Sequence, residues 1–263
     1  MKQLDIKNPF GAPVWHEEKV GSTMDESRRL AAEGAPHGTV ISAGFQEAGR
    51  GRIRTRPWKG NAGESLAFTI LLRFGSIEKI PAAFTLRAAL ALLLALEDFA
   101  PPLKGRILVK WPNDIMITLP SGRRKAAGIL SESDGKTVYT GIGVNVAQSA
   151  FPPELQDKAV SIGSALKEYH VKAGVLNSFV LLEKILLRLH AENEDGSPAW
   201  KDRLEARLYR RGEEVCFFPG PAETTEELTG ILQGVTPEGG LIILPKGKTE
   251  PESFITGELK LYE

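Results

Sequence analysis

Five cations crowd one short stretch of the chain. Arg50, Arg52, Arg54, Arg56 and Lys59 fall within ten residues, in Gly49-Arg-Gly-Arg-Ile-Arg-Thr-Arg-Pro-Trp58-Lys59, and the nearest acids are Glu47 and Glu64. Gly49 and Gly51 let backbone N–H groups approach an anion closely, and Trp58 adds an aromatic face. Charge and a stacking surface together suit a nucleoside phosphate; a solvated charge run or a nucleic-acid contact is the plainer alternative. A second group, Lys110-Trp-Pro-Asn-Asp114, ends an apolar strand. There Lys110 can face a phosphate, and Asp114 can orient a polar group or a metal-bound water. The competing roles are core packing for Trp111 and turn formation for Asn113 and Asp114 after Pro112. A third, Lys125-Ala-Ala-Gly-Ile-Leu130, opens an apolar strand with one cation. Alternation sets Lys125, Ala127 and Ile129 on one face, and Ala127 and Gly128 leave room for a ligand. The plainer role for Lys125 is to snorkel from a strand end. The fourth, Gly141-Ile-Gly-Val-Asn145, permits close approach of a backbone or a ligand.

These groups need elements to hold them. Residues 22–34 read as a helix, with Thr23 and Glu26 as a capping box and Gly34 as a stop; residues 1–21 read as a lead-in. Strands are expected at 39–45, 65–74, 106–110, 114–119, 125–132 and 137–146, with a turn at Pro120-Ser-Gly122 between the fourth and fifth. Residues 46–63 lack apolar periodicity and form a long loop. Helical spacing of Phe84, Ala88, Leu92 and Leu96 predicts a helix over 81–99. Phe179, Leu182, Leu186 and Leu189 predict another over 175–192, and 200–208 a third. Past Gly212, the short β-rich segments 213–218, 227–235, 240–245 and 253–261 predict a small all-β barrel. The reading is α+β: a mixed, mostly antiparallel sheet with flanking helices over residues 1–210, then a small barrel over 211–263.

Composition removes several classes. The 263 residues carry 33 Lys plus Arg and 33 Asp plus Glu, so a net charge of zero offers no bulk attraction to nucleic acid or an anionic membrane. A single cysteine, Cys216, excludes an internal disulfide framework and a Cys-based zinc cage. The four histidines are scattered. Gly247-Lys-Thr249 lacks the leading glycine of a P-loop, because position 242 is Ile242. The longest uninterrupted apolar run, 88–96, is too short to cross a bilayer, and residues 1–7 lack the apolar core of a secretory signal. A cytoplasmic globular protein is expected.

Taken in order, Gln46 and Gly49-Arg-Gly-Arg52, Lys110-Trp-Pro-Asn-Asp114, Lys125-Ala-Ala-Gly128 and Gly141-x-Gly-x-Asn145 resemble the biotin–protein ligase family. The resemblance runs from Ser22 to the C-terminus, where Gly257-Glu-Leu-Lys-Leu261 is similar to the family's small SH3-like domain. It implies a class II synthetase-like catalytic fold and a two-step reaction. Biotin is activated by ATP to biotinyl-5′-AMP, then passed to a lysine of a biotin carboxyl carrier protein. By the same resemblance, Ser22, Thr23, Met24, Gln46, Gly49, Arg50, Gly51, Arg52, Lys125 and Gly128 line the biotin site. Trp58 stacks on adenine, and Lys110, Asn113, Asp114 and Asn145 sit near the phosphates together with Arg50, Arg52 and Lys125. Lys125 and Arg52 are the expected catalytic residues. Mg²⁺ arrives on the phosphates, near Asp114 and Asn145, without a side-chain cage of its own. Three departures stand out. Met24 replaces the family's usual asparagine, so any contact there is expected through its backbone. The Gly49–Trp58 loop is one residue longer than usual, which leaves Arg54 and Arg56 competing for one role. No helix-turn-helix precedes Ser22, so a monofunctional ligase without DNA binding or a membrane partner is expected, with a homodimer left open. The competing readings are a lipoate or octanoate transferase of the same fold and a nucleic-acid-binding module.

Overall fold

The computed structural model describes residues 1–52, 58, 60, 63–172, 174–194, 199–220 and 225–260. Eight strands make the main sheet: β1 (Lys2–Leu4), β2 (Val14–Val20), β3 (Val40–Gln46), β4 (Ser65–Arg73), β5 (Ile107–Lys110), β6 (Asp114–Leu119), β7 (Gly122–Ser133) and β8 (Thr137–Asn145). Their spatial order is β1-β2-β3-β4-β8-β7-β6-β5. Only β2 and β3 run parallel, and the other neighbours are antiparallel. Helix α1 (Thr23–Ala32) makes the crossover between the parallel pair, as a parallel connection requires.

Alternation along β4 separates the two faces. Leu66, Phe68, Ile70 and Leu72 enter the main core with α2 (Phe84–Phe99) and α4 (Ser178–Glu194). Leu71 joins Met24 of α1 and Tyr139 of β8 in a small second cluster. The helices α2 and α4 therefore cover one face of the sheet and α1 the other. Residues 77–99, which contain α2, are long and apolar enough to cross a membrane, with a mean hydropathy of 1.7 over an 18-residue window. Ten residues of α2 are buried inside the molecule, so here the apolar surface serves the core. The nine-residue run counted from the sequence understates this segment, because Phe84, Thr85 and Leu86 extend it.

Two shorter helices, α3 (Ile162–Glu168) and α5 (Trp200–Glu205), precede a second sheet of β9 (Glu214–Phe218), β10 (Leu228–Val235), β11 (Leu241–Pro245), β12 (Glu252–Phe254) and β13 (Glu258–Leu259). Its order is β12-β11-β10-β9-β13, antiparallel throughout. The two sheets share one continuous core: Trp111 packs edge-on against Phe217 and donates from Nε1 to the Gly239 carbonyl at 2.9 Å. Glu205 makes a second joint. Its buried carboxylate accepts from Lys201 and from the Val235 N–H, and it pairs with Arg211. Burial alone would raise the pKa of Glu205; those three partners outweigh it and hold the group below its usual range.

Several sequence expectations change. Residues 1–21 hold β1 and β2, whose middle, Trp15-His-Glu-Glu-Lys19, shows no apolar alternation and is fixed by pairing with β3. Ser22, not Thr23, caps α1, accepting from the Met24 N–H. Helix α3 carries too few turns for a periodic signal, and its cap is Ser161. Helix α2 starts at Phe84, α4 covers Ser178–Glu194, and α5 stops at Glu205. Strand β7 begins at Gly122, where the backbone turns through φ +130°.

Candidate active site

Strand register alone assembles the floor of the site. Residues opposite one another in antiparallel strands share a face. One such row runs Ala67, Gly143, Gly128, Asp114, Lys110, and its neighbour runs Thr69, Gly141, Leu130. The three glycines leave a trough in the sheet, and each gap takes a functional side chain. A Cβ on Gly143 would stand 2.4 Å from Trp58 Cε2, and one on Gly141 would stand 3.1 Å from Met24 Cε. A Cβ on Gly128 would meet Lys125 Nζ at 3.3 Å. Above this trough lies a cavity of about 680 Å³, in the range of small-molecule sites.

The expected face for Lys125 is overturned. A register shift in the β6–β7 pairing, between Ile115 opposite Ala127 and Met116 opposite Lys125, inserts Ala126 as an extra residue. Such a bulge re-aims the side chains on one side of it. Ala126, Ala127 and Ile129 are buried in the core, while Lys125 joins Gly128 on the cavity side and ion-pairs with Asp114 Oδ1 at 2.5 Å. The backbone of Lys125 is also stitched to a neighbouring segment. Its N–H donates to the Lys158 carbonyl, and its carbonyl accepts from the Val160 N–H.

One end of the cavity is a polar corner. Gln46 Oε1 accepts from both the N–H and the Oγ1 of Thr23, at 2.8 and 3.0 Å, and Thr69 Oγ1 donates to Thr23 Oγ1 at 2.9 Å. These bonds fix the Gln46 amide against its strand end. Met24 lies beside them with its N–H taken by Ser22 and its thioether against Gly141. Its side chain is turned to the lining glycine Gly141.

The other end is cationic. Lys110 is 4% exposed and sits with Asp114, Lys125, Arg52 and Glu258 around it. Burial lowers its pKa, and the Asp114 carboxylate opposes that shift in part. Trp111 is core, and Asn113 acts locally: its Nδ2 donates to the Ile129 carbonyl at 2.7 Å. The side-chain Oδ1 of Asn145 accepts from Gln148 Nε2, and Gln148 Oε1 is buried without a hydrogen-bond partner among the described residues. Arg52 donates to the Gly257 carbonyl, and Arg50 is forked onto Asp25. Arg54, Arg56 and Lys59 of the cation cluster, like Leu261 of the C-terminal motif, lie outside the described residues.

Ser22, Thr23, Met24, Gln46, Arg50, Gly51, Arg52, Trp58, Lys110, Asn113, Asp114, Lys125, Gly128 and Asn145 thus meet around one cavity. Gly49 is not in the lining, but its carbonyl accepts from the Trp58 N–H. Sequence reasoning missed two walls. Phe151, Glu154, Leu155 and Lys158 form one, and Phe218, Glu258 and Lys260 of the second sheet form another. The first carries no motif; the second lay within the C-terminal resemblance, which did not connect it to the site.

Gly143→Ala is expected to unseat the Trp58 ring, since the new methyl overlaps three indole atoms. If the ring stacks on adenine, as the family resemblance implies, the KM for ATP should rise at least tenfold with biotin affinity changed less than threefold. Steady-state kinetics with each substrate varied in turn check this; an unchanged KM for ATP would detach Trp58 from the nucleotide.

Comparison with known proteins follows the same lines. Residues 19–148 match the Biotin/lipoate A/B protein ligase family. A biotin–[acetyl-CoA-carboxylase] ligase of Paracoccus denitrificans is 32% identical over 231 residues, covering 86% of this chain and 91% of that protein. The chain belongs to the biotin–protein ligase family. A bifunctional ligase/repressor BirA of Bacillus subtilis is 35% identical over 180 residues, 65% of this chain. The chain spans about half the length of the two Bacillus relatives it matches. A biotin protein ligase from Aquifex aeolicus, solved in complex with biotin and ATP, superposes with a TM-score of 0.74 at 26% identity, covering 94% of this chain and 97% of that one. The mixed sheet with flanking helices and the small C-terminal sheet are thus those of this ligase family.

Proposed function

We propose that this chain is an ATP-dependent biotin–protein ligase. The biotin carboxylate attacks the α-phosphorus of ATP and pyrophosphate leaves, giving biotinyl-5′-AMP. The amine of an acceptor lysine then attacks the acyl carbon, AMP leaves, and the amine proton is released. The observation that carries this reading is one cavity with two chemically opposite ends. The Thr23–Gln46–Thr69 corner suits a neutral polar ring, and Lys110, Lys125 and Arg52 suit a carboxylate meeting a polyphosphate.

Attack of one anion on another needs fixed positive charge where negative charge grows. Lys125, braced by Asp114 and by its backbone bonds to residues 158 and 160, meets that need without reorganising. Trp58, seated on Gly143, offers its ring to the adenine. Mg²⁺ would come with the phosphates and neutralise part of their charge. Asp114 and Asn145 offer the hard oxygen donors that suit it, although Lys125 already shares the Asp114 carboxylate. Residues 1–210 would act as the catalytic unit, with 211–263 closing the cavity from the second sheet. The acceptor would be a biotin carboxyl carrier protein.

The test is transfer of labelled biotin to a carrier domain, with lipoate in a parallel reaction. Transfer of biotin that requires ATP and is at least a hundredfold faster than that of lipoate supports the reading. Preference for lipoate makes the chain the lipoate-type member of the same fold, and no transfer of either overturns both.

A further inference from the structure

At one edge of the cavity, four charged side chains tie together three elements. Arg50 donates from Nη2 and Nη1 to the two carboxylate oxygens of Asp25, at 2.6 and 3.0 Å. Its Nε lies 3.9 Å from Glu132 Oε1, and Glu132 Oε2 accepts from Arg28 at 2.6 Å. Arg28 also sits over the Tyr139 ring, 4.4 Å from its centroid. Asp25 and Arg28 belong to α1 and Glu132 to β7, while Arg50 follows β3. The signs alternate along Asp25, Arg50, Glu132 and Arg28, so the group is internally neutral and complete without a ligand.

The two arginines of Gly49–Arg52 are therefore unlike. Arg50 holds a carboxylate with both arms of its fork, the strongest geometry open to it. The Arg50 hydrogen bonds hold Asp25 below the usual carboxylate range. Among the described residues Arg52 makes one bond, to the neutral carbonyl of Gly257. A phosphate can outcompete a carbonyl for a guanidinium, because a charged acceptor binds about twice as strongly. It gains little over the carboxylate that Arg50 already has.

We propose that Asp25, backed by Glu132, is a positioning residue. By gripping the Arg50 guanidinium it fixes the Gly49–Arg52 backbone over the cavity, so that Gly51 and Arg52 hold the acyl-adenylate while Arg50 serves as the anchor. This rests on the ligase reading above. It reassigns Arg50 from ligand contact to support, and it gives a role to Asp25, which lies outside every motif in the chain.

The experiment measures retention. Enzyme loaded with biotin and ATP is separated from free ligand, and release of biotinyl-5′-AMP is followed in time. Asp25→Asn is expected to speed release about three- to tenfold, with the unliganded melting temperature within about 2 °C of wild type, as befits one partly exposed ion pair. Arg50→Lys keeps the charge but loses the fork, and should match it. The double variant should be no worse than either single one, because both break the same contact. Asp25→Glu should recover most of the retention, which a purely structural role would not predict. Release from Asp25→Asn at the wild-type rate, or additive effects of the two substitutions, would overturn the anchor while leaving the ligase reading intact. A wild-type enzyme that forms no adenylate would overturn both.

Discussion

Lys125→Ala is expected to slow pyrophosphate release by at least a hundredfold while the protein stays folded. The size follows from what one preorganised charge contributes where a transition state gains charge, about 10²–10³ in rate. It is increased by what remains. Without Lys125, the Asp114 carboxylate loses the partner it holds at 2.5 Å and faces the incoming phosphates with only the buried Lys110 beside it. Folding should suffer little, since the Lys125 side chain is over a third exposed and its backbone bonds to residues 158 and 160 survive the substitution. Pyrophosphate release measured beside a thermal melt separates the two effects. A folded Lys125→Ala enzyme working near the wild-type rate would remove Lys125 from the chemistry. Lys125→Arg restores charge without the lysine's reach into the Gly128 gap, and should recover only part of the loss.

Trp111→Ala should be the most damaging change to stability. The ring is 2% exposed, packs on Phe217 and anchors the second sheet through Gly239. Emptying such a site costs about 3–5 kcal/mol, a large share of the roughly 5–15 kcal/mol that holds a domain together. At about 2–4 °C per kcal/mol for a chain of this size, the melting temperature should fall by about 6–20 °C. Phe218, Glu258 and Lys260 reach the cavity only because that sheet is docked, so the KM for ATP should rise as well. Trp111→Phe keeps most of the packing and loses only the indole N–H, and should cost about 1–2 kcal/mol. A Trp111→Ala protein melting within 1 °C of wild type would mean the sheets are held elsewhere, with the Glu205 joint the next place to look.

Much of the site is written locally. Lys110 and Asp114 are paired by the turn that separates them, and Gly141 and Gly143 sit on one face because strands alternate. Local rules cannot reach the bulge at Ala126. It depends on how β7 registers against β6, and a slip of one residue moved Lys125 from the face that alternation assigns to it. The strands β1 and β2 were hidden for a similar reason, since their residues are largely polar and their order comes from pairing, β1 with β2 and β2 with β3 twenty-odd positions on. The Asp25–Arg50 fork, the 151–158 wall and the Phe218–Lys260 wall are contacts between distant parts of the chain. No spacing in the sequence announces them. What a motif supplies is the chemistry of a group; which of its neighbours it answers to is decided by topology.

The seat of Trp58 on Gly143 also gives the molecule an optical reporter at its working surface. Of the four tryptophans, Trp111 and Trp200 are sealed in the core at 2% and 3% exposure, and Trp15 lies on β2, outside the cavity lining. Trp58 is half-buried with its ring against the open trough. A ligand that fills the cavity changes the polarity most around this indole; Trp111 also borders the cavity but is buried, and Trp15 and Trp200 lie outside its lining. Intrinsic emission should therefore read occupancy directly, with no label attached and no product to collect, and the steps of loading can be followed one by one in a stopped-flow trace.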